Sequence, residues 1–127
     1  RTFNLSIGFT SNLKEDVAMV KRVLFVCSGN THRSPTAANM FKDRKGFEVK
    51  SAGTSILTLN PVSAELVEWA DKIFVMEEEH RKLIVQQFPE AASKITVLDI
   101  EDEYYRDDPR LTAILKEKLE PYFSSQE

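Results

Sequence analysis

The chain has 127 residues, of which 42% are hydrophobic and 29% are charged, and its formal net charge is −3. This length suits one domain with one core, and the composition is typical of a folded protein rather than a disordered one. The acidic balance argues against a dedicated nucleic-acid-binding protein, which usually carries a basic face. No apolar run has the length of a membrane span. The single cysteine excludes an intrachain disulfide and suits a reducing cytoplasm.

The N-terminal segment fits the pattern of the rest less well. Alternating apolar residues over Phe3–Phe9 would suit an edge strand. In a second interpretation Met19 is the natural start and an upstream segment precedes it. We favour the second interpretation, because Val20–Val26 then supplies an ordinary N-terminal strand. The sequence therefore predicts an extension over residues 1–18 and one domain over residues 19–127.

Apolar runs alternate with helical patterns along the remainder of the chain. The runs that predict buried strands are Val23–Val26, Phe47–Lys50, Lys72–Met76 and Lys94–Leu98. The helical patterns cover Pro35–Lys45, Pro61–Ala70, Glu77–Phe88 and Pro109–Tyr122. This alternation predicts an α/β fold in which a parallel sheet has helices on both faces. Ligands of such folds bind at the carboxyl ends of strands, so the segment after Val26 is the first candidate site.

Capping residues set the predicted helix boundaries. Ser34 and Asn60 are suitable N-caps for the first two helices, since each precedes a proline. Gly46 follows the first helical pattern and predicts its C-terminal end.

His80 lies in a highly charged helical segment, and we expect its side chain to face solvent.

The segment from Val23 to Pro35 contains the candidate chemistry. A buried strand ends at Cys27, and Arg33 follows six residues later, just before a predicted helix. A loop between a strand end and a helix start can turn its N–H groups inward and bind an anion. Gly29 and Asn30 suit the sharp turn that this requires. Arg33 adds a planar cation that can bind two phosphate oxygens.

Cys27 would lie beneath this anion site. The positive surroundings favour its thiolate, which can attack the phosphorus of a bound ester and form a phosphocysteine. Ser34 could donate a hydrogen bond to that thiolate. A lone cysteine after a buried strand is more often a small core residue. The complete series of strand, Cys27, Gly29, Asn30, Arg33 and helix nevertheless favours an anion site.

The stretch Val26–Pro35 closely resembles the phosphate loop of low-molecular-weight protein tyrosine phosphatases. Ser51–Thr54 resembles the family's Ser-Ala-Gly-Thr turn, and Ala70–Met76 resembles the beginning of its third strand. Ile100–Tyr105 is similar to the family's acid loop. The resemblance implies a three-layer αβα sandwich with a four-stranded parallel sheet in the order 2-1-3-4, and the phosphate loop after the first strand.

The resemblance also implies roles for individual residues. Cys27 would be the nucleophile, Arg33 the phosphate ligand and Asp102 the general acid and base. The phosphate would be bound by the loop residues Cys27, Ser28, Gly29, Asn30, Thr31, His32 and Arg33. A hydrogen bond from Ser51 would hold the Asn30 side chain. Tyr104 and Tyr105 could line the substrate entrance, although core packing would explain them equally well.

Asp108 is an alternative to Asp102 as the general acid. It precedes Pro109, so the structural interpretation is a helix cap. The chain also departs from the family pattern. Only about sixteen residues separate Thr54 from Asp71, fewer than in typical members of the family, so a crossover segment with the family's loop-supporting histidines is trimmed. Ile56 or Leu57 stands where the family has an aromatic wall.

The expected activity is hydrolysis of phosphomonoesters, with phosphotyrosine as the favoured substrate. Expected ligands are phosphorylated proteins, small phosphoesters and phosphate- or sulfate-type anions, without a metal, a cofactor, a nucleic acid or a membrane. An arsenate reductase that uses an external thiol is one alternative, because Cys27 lacks a partner thiol. A phosphate- or phosphopeptide-binding module without activity is another.

Overall fold

The computed structural model describes residues 20–124, so the predicted extension over residues 1–18 lies outside the described residues. The elements, in chain order, are β1 (Lys21–Cys27), α1 (Arg33–Phe41), β2 (Phe47–Gly53), α2 (Ala64–Trp69), β3 (Lys72–Val75), α3 (Glu78–Gln87), a 3-10 helix (Pro89–Lys94), β4 (Ile95–Val97) and α4 (Pro109–Ser124). No helix in this part of the chain is both long and apolar enough to cross a membrane.

The four strands form one parallel sheet in the order β2-β1-β3-β4. This order is the predicted one, so the fold expectation is confirmed. Cys27 at the end of β1 pairs with Gly53 at the end of β2, and Val26 pairs with Val75 at the end of β3. The carboxyl ends of these strands therefore meet at one sheet edge, which is where ligands of such folds bind.

Side chains of β1 alternate between the two faces of the sheet, as the twofold period of a strand requires. Phe25 belongs to one apolar cluster together with Phe41 of α1 and Phe123 of α4. Leu24 belongs to a second cluster that includes Ile84 of α3. Helices thus cover both faces, and β1 is buried between them. Cys27 lies on the α1 and α4 side, at the top of the first cluster.

Three predicted helix boundaries were wrong. Helix α1 begins at Arg33, so Ser34 lies inside the helix and caps nothing. Helix α2 begins at Ala64, where the Ser63 hydroxyl accepts a hydrogen bond from the N–H of Leu66. The predicted cap Asn60 is excluded from that role because the next residue, Pro61, forms a bridge with Gly53.

Gly46 does not end the first helix either. Helix α1 already ends at Phe41, and Gly46 has a φ of +88° in the turn that leads into β2. Its carbonyl accepts a hydrogen bond from the N–H of Lys21 at the start of β1. Glycine adopts this left-handed conformation without the steric cost that other residues incur.

Candidate active site

The phosphate loop, residues 27–33, connects the end of β1 to the start of α1. Asn30 takes the left-handed conformation within it, with a φ of 57°. Gly53 lies directly against the loop, and a Cβ atom there would stand 2.5 Å from the carbonyl oxygen of Ser28. Only glycine fits at this position without a shift of the backbone. The Ser-Ala-Gly-Thr turn is therefore part of the loop's support.

The thiol of Cys27 is buried at the base of the loop, with 2% of the residue exposed. Its Sγ atom lies 3.1 Å from the Ser34 Oγ atom. The Asn30 side-chain amide donates to the same oxygen at 2.8 Å. Since that oxygen already accepts a bond, its own proton is available for a sulfur acceptor or for the Ala52 carbonyl at 3.3 Å. Ser34 is thus oriented to stabilise a thiolate.

Arg33 is the largest fully buried side chain of the site, with 1% exposure. Its Nη1 atom donates to the Glu77 carboxylate at 2.9 Å and to the Ile100 carbonyl at 2.7 Å. Its Nε atom lies 3.7 Å from the Asp102 carboxylate. Among residues 20–124, nothing accepts a hydrogen bond from Nε or Nη2. One edge of the guanidinium is therefore anchored, and the other edge remains available for two oxygens of an anion.

A cavity of about 180 Å³ opens above the loop. Its lining combines the thiol, the guanidinium and a carboxylate with four loop residues. The residues are Cys27, Ser28, Gly29, Thr31, His32, Arg33 and Asp102. The structure therefore brings together all three predicted catalytic residues and most of the predicted phosphate-binding ones.

The two candidate acids lie in different surroundings. Asp102 lines the cavity, and 63% of its side chain is exposed. Asp108 does not line the cavity; its carboxylate accepts from the N–H and the guanidinium of Arg110, each at 2.8 Å. These bonds to Arg110 hold the pKa of Asp108 below its ordinary value, which makes it a poor proton donor. The helix-cap interpretation of Asp108 agrees with this geometry.

Asn30 has partners other than the one expected. Its side-chain nitrogen donates to Ser34, and its side-chain oxygen accepts from the Asn60 amide at 3.2 Å. The Asn60 amide also donates to the Ser51 carbonyl. Ser51 pairs with Phe25 inside the sheet, two residues before the strand end that meets the loop. The expected hydrogen bond from the Ser51 hydroxyl to Asn30 is therefore absent among the described contacts, and Asn60 occupies that position.

The expectation for His80 was also wrong. The residue is buried, with 1% exposure, and its Nε2 atom lies 2.9 Å from the Ser28 hydroxyl. Its Nδ1 atom accepts a hydrogen bond from the N–H of Glu77, while the Glu77 side chain caps the same helix. The reciprocal cap in the Glu-x-x-His pattern was the sequence signal for this inward orientation.

A segment after β2 supports the loop from outside. The Thr58 hydroxyl donates to the Gly29 carbonyl at 2.8 Å, and the N–H groups of Thr54 and Ser55 donate to the carbonyls of Cys27 and Ser28. These contacts were not predicted. They show that the short crossover still packs against the phosphate loop.

A second cavity of about 300 Å³ adjoins the first one. His32, Asp102, Glu103, Tyr104 and Tyr105 line it, and we call these residues the rim. Tyr105 is 77% exposed and lies edge-on to the His32 ring at 5.6 Å. Tyr104 lies beneath the Arg110 guanidinium and also packs against the core.

The apolar residues after β2 do not contribute to either cavity of the site. Ile56 and Leu57 are 97% and 86% exposed, so neither replaces the aromatic wall. Ile56 instead borders a larger cavity of about 570 Å³ between this segment and α3. None of the described residues that line that cavity is titratable, whereas the smaller cavity contains the thiol and the guanidinium.

A parallel αβα sheet with a Cys-x5-Arg loop at its carboxyl edge defines the class of small cysteine-dependent phosphatases. The sequence model described as low molecular weight phosphotyrosine protein phosphatase matches residues 22–61. A protein-arginine-phosphatase of Geobacillus stearothermophilus is 35% identical, in a match that covers 63% of this chain and 70% of that protein. One of Bacillus subtilis is 32% identical over 60% of this chain and 69% of its own length. The chain therefore belongs to the low molecular weight phosphotyrosine protein phosphatase family.

Solved structures agree with this assignment. The YwlE arginine phosphatase from Geobacillus stearothermophilus has 30% sequence identity and a TM-score of 0.64, over 82% of this chain and 88% of that one. Vibrio vulnificus Wzb in complex with benzylphosphonate has a TM-score of 0.72 over 84% of this chain and 99% of that chain. Its 20% identity supports the shared fold only.

Proposed function

We propose that this chain is a protein phosphatase that forms a phosphocysteine on Cys27, and that phosphoarginine in proteins is its preferred substrate. One observation carries the catalytic part of the proposal. The Cys27 thiol and the open edge of the Arg33 guanidinium line the same cavity of about 180 Å³. A phosphoryl group in that cavity would place its phosphorus against a thiolate and its oxygens against the fork.

The proposed reaction has two steps. In the first, the Cys27 thiolate attacks phosphorus, the bond from phosphorus to the leaving nitrogen or oxygen breaks, and protonated Asp102 gives its proton to that leaving atom. In the second, the Asp102 carboxylate takes a proton from water, and the water oxygen attacks phosphorus. The sulfur–phosphorus bond then breaks, which releases phosphate and regenerates the thiolate and the carboxylic acid.

Ser34 and Arg33 stabilise different charges in this sequence. The Ser34 hydroxyl, fixed by the Asn30 amide, stabilises the sulfur when it attacks and when it leaves. The free edge of Arg33 and the inward N–H groups of the loop stabilise the phosphoryl oxygens. Because Glu77 and the Ile100 carbonyl anchor the other edge of Arg33, this stabilisation requires little rearrangement.

The rim supports phosphoarginine over phosphotyrosine. Asp102 and Glu103 are exposed residues of the rim, and the adjacent Glu101 is also exposed. A hydrogen bond with Glu103 and repulsion from its charge raise the pKa of Glu101, which indicates crowded negative charge. A guanidinium-bearing leaving group is positively charged and planar, so it would relieve this crowding, whereas a neutral aryl ring would not. The arginine phosphatase relatives support the same choice.

Phosphotyrosine remains the second candidate because of Tyr105. This exposed ring borders the entrance and could stack on an aryl group. The cationic part of phosphoarginine could use the same ring through a cation–π contact, so Tyr105 alone does not distinguish the two substrates.

We propose a reducing cytoplasm as the compartment of this activity, because a lone thiol stays reduced there.

The proposal is tested by measuring kcat/KM on two peptides that differ only in carrying phosphoarginine or phosphotyrosine. We expect higher kcat/KM on the phosphoarginine peptide, and release of one phosphate for each dephosphorylated residue. Cys27→Ser is the control: it should abolish turnover yet still bind phosphate, since the loop remains. A higher kcat/KM on phosphotyrosine would overturn the substrate assignment.

Two further outcomes would contradict the enzymatic part. If wild type binds phosphopeptides but releases no phosphate from either, the chain is a binding module. If it releases none but reduces arsenate when a small external thiol is supplied, the chain is an arsenate reductase. Activity that persists in Cys27→Ser would show that another group is the nucleophile.

A further inference from the structure

The buried imidazole of His80 has no part in the two catalytic steps, although it contacts the phosphate loop. It lies at the start of α3 and is 1% exposed. Its Nε2 atom is 2.9 Å from the Ser28 hydroxyl oxygen, and its Nδ1 atom accepts from the N–H of Glu77 at 3.0 Å. Both ring nitrogens are therefore in hydrogen bonds, and one of them reaches a residue that lines the phosphate cavity.

These two contacts determine where the imidazole proton lies. The N–H of Glu77 can only donate, so Nδ1 must carry a lone pair and no proton. The neutral ring then carries its proton on Nε2, which donates to the Ser28 oxygen. Because Ser28 accepts there, its own hydroxyl proton is free to point elsewhere. The cavity is the direction in which an acceptor-only phosphate would receive it.

We infer that His80 is a positioning residue that orients the Ser28 hydroxyl as a hydrogen-bond donor to the phosphoryl group in the cavity. The inference rests on the proposed function, because the hydroxyl matters only if a phosphoryl group binds there. Without His80, the Ser28 hydroxyl could rotate and present a lone pair to the anion. A lone pair of the Ser28 oxygen that faced the phosphate oxygens would repel them, and the hydrogen bond to the phosphoryl group would be lost.

The position of α3 makes His80 suitable for this role. Glu77, which fixes the His80 tautomer through its N–H, also accepts from Arg33 through its carboxylate. The first turn of α3 thus contacts Ser28 near the beginning of the loop and Arg33 at its end. Both contacts come from one capped helix terminus, so they keep a fixed distance from each other.

Burial and a neighbouring cation favour the neutral form of His80. Burial and the Arg33 guanidinium lower its pKa, and the carboxylates of Glu77, Glu79 and Asp102 only partly offset this. The folded-state pKa is thus below the ordinary value of about 6.5. The contribution of the neutral ring to the free energy of unfolding is fully present when the pH is above the ordinary pKa. It is lost as the pH falls through the folded-state pKa.

Three variants separate this role from a structural one. His80→Asn keeps an acceptor near the Nδ1 position for the helix cap but is too short to donate to Ser28. His80→Gln is the rescue variant, since its longer amide can both accept and donate. Ser28→Ala removes the hydroxyl itself. The measurement is the dissociation constant of inorganic phosphate, determined by calorimetry, with the melting temperature recorded alongside.

We expect His80→Asn and Ser28→Ala each to weaken phosphate binding roughly 10-fold, which is the usual scale of one hydrogen bond to a charged group. The double variant should be no weaker than either single one, because both remove the same donor. His80→Gln should bind within a few-fold of wild type. In wild type, the nitrogen chemical shifts of the ring should report a proton on Nε2 and none on Nδ1; His80→Asn identifies these signals.

Other results would overturn the inference. Equal phosphate affinity in wild type and His80→Asn, with only a lower melting temperature, would make His80 a structural residue. Fully additive losses would show that His80 does not act through Ser28. Failure of the proposed function looks different: wild type would then release no phosphate from any substrate, while the calorimetric comparison could still be made.

Discussion

The buried catalytic network of the phosphate loop and helix α1 differs sharply in exposure from the rim of the cavity. Cys27, Arg33 and Ser34 are between 0% and 2% exposed, and the side chain of each contacts at least one other polar side chain. In the rim, 63% of the Asp102 side chain is exposed, and Tyr105 is 77% exposed. The loop is also contacted by several separate segments, whereas Tyr105 lies edge-on to the ring of His32 in the same rim.

This difference separates the chemistry from the choice of substrate. A buried network with satisfied hydrogen bonds has one arrangement, so it is preorganised for one kind of group, here a tetrahedral anion. Exposed side chains adapt to different leaving groups and contribute less to binding because water competes with them. Substitutions in the loop should therefore change the rate on every substrate, and substitutions in the rim should change the ratio between substrates.

The largest expected effect comes from Arg33→Lys. A lysine keeps the charge but cannot bond Glu77 and Ile100 on one edge and two phosphate oxygens on the other. We expect kcat/KM to fall roughly 100-fold or more on all substrates alike. Arg81→Lys is the matched control, since Arg81 pairs with Glu78 at the surface. This variant should keep the kcat/KM of wild type. Retention of most activity by Arg33→Lys would show that the fork is not the phosphate ligand.

An intermediate effect is expected for Asp102→Asn, because an amide cannot supply the proton that the leaving group needs. The loss should be about 100-fold or more for a poor leaving group such as phenolate, and small for para-nitrophenolate, which leaves without help. The measurement is kcat/KM on phenyl phosphate and para-nitrophenyl phosphate, which reports the first step alone, because Asp102 is also the base of the second step on both substrates. Asp108→Asn is the matched control, and it should change the rates on the two substrates by the same factor. A leaving-group dependence in Asp108→Asn instead would transfer the acid role to that residue.

The sheet and the loop were predictable because their signals are contiguous in the sequence. Four apolar runs alternating with helical patterns are sufficient to indicate a parallel sheet, and Cys27 through Arg33 lie within one segment. The helix starts were less predictable, because serine serves equally well as a cap and as a hydroxyl donor. Ser34 has the second role here, and Ser63 has the first.

The supporting residues could not be predicted for a different reason. Asn60 contacts Asn30, Thr58 contacts Gly29, and His80 contacts Ser28 across separations of 30, 29 and 52 residues. Periodicity describes which face of its own element a residue occupies, but it does not tell which distant loop that face meets. The crossover between Thr54 and Asp71 is shorter than in typical family members, so the family pattern could not be used to predict these contacts. The segment that replaces it supports the loop with residues that the family pattern did not indicate.

The smallest expected effect lies in the rim, with Glu103→Gln. Removing one exposed charge should lower kcat/KM on a phosphoarginine peptide a few-fold and leave a phosphotyrosine peptide unchanged, since only the first carries a cation near the rim. The effect should shrink at high salt, because exposed charges are screened. Glu90→Gln is the control: this exposed acid precedes β4 and so lies toward the opposite edge of the sheet. An equal loss of kcat/KM on both peptides would mean that Glu103 acts on the phosphate loop. Glu103 would then affect the catalytic steps, and the rim would not be restricted to the choice of substrate.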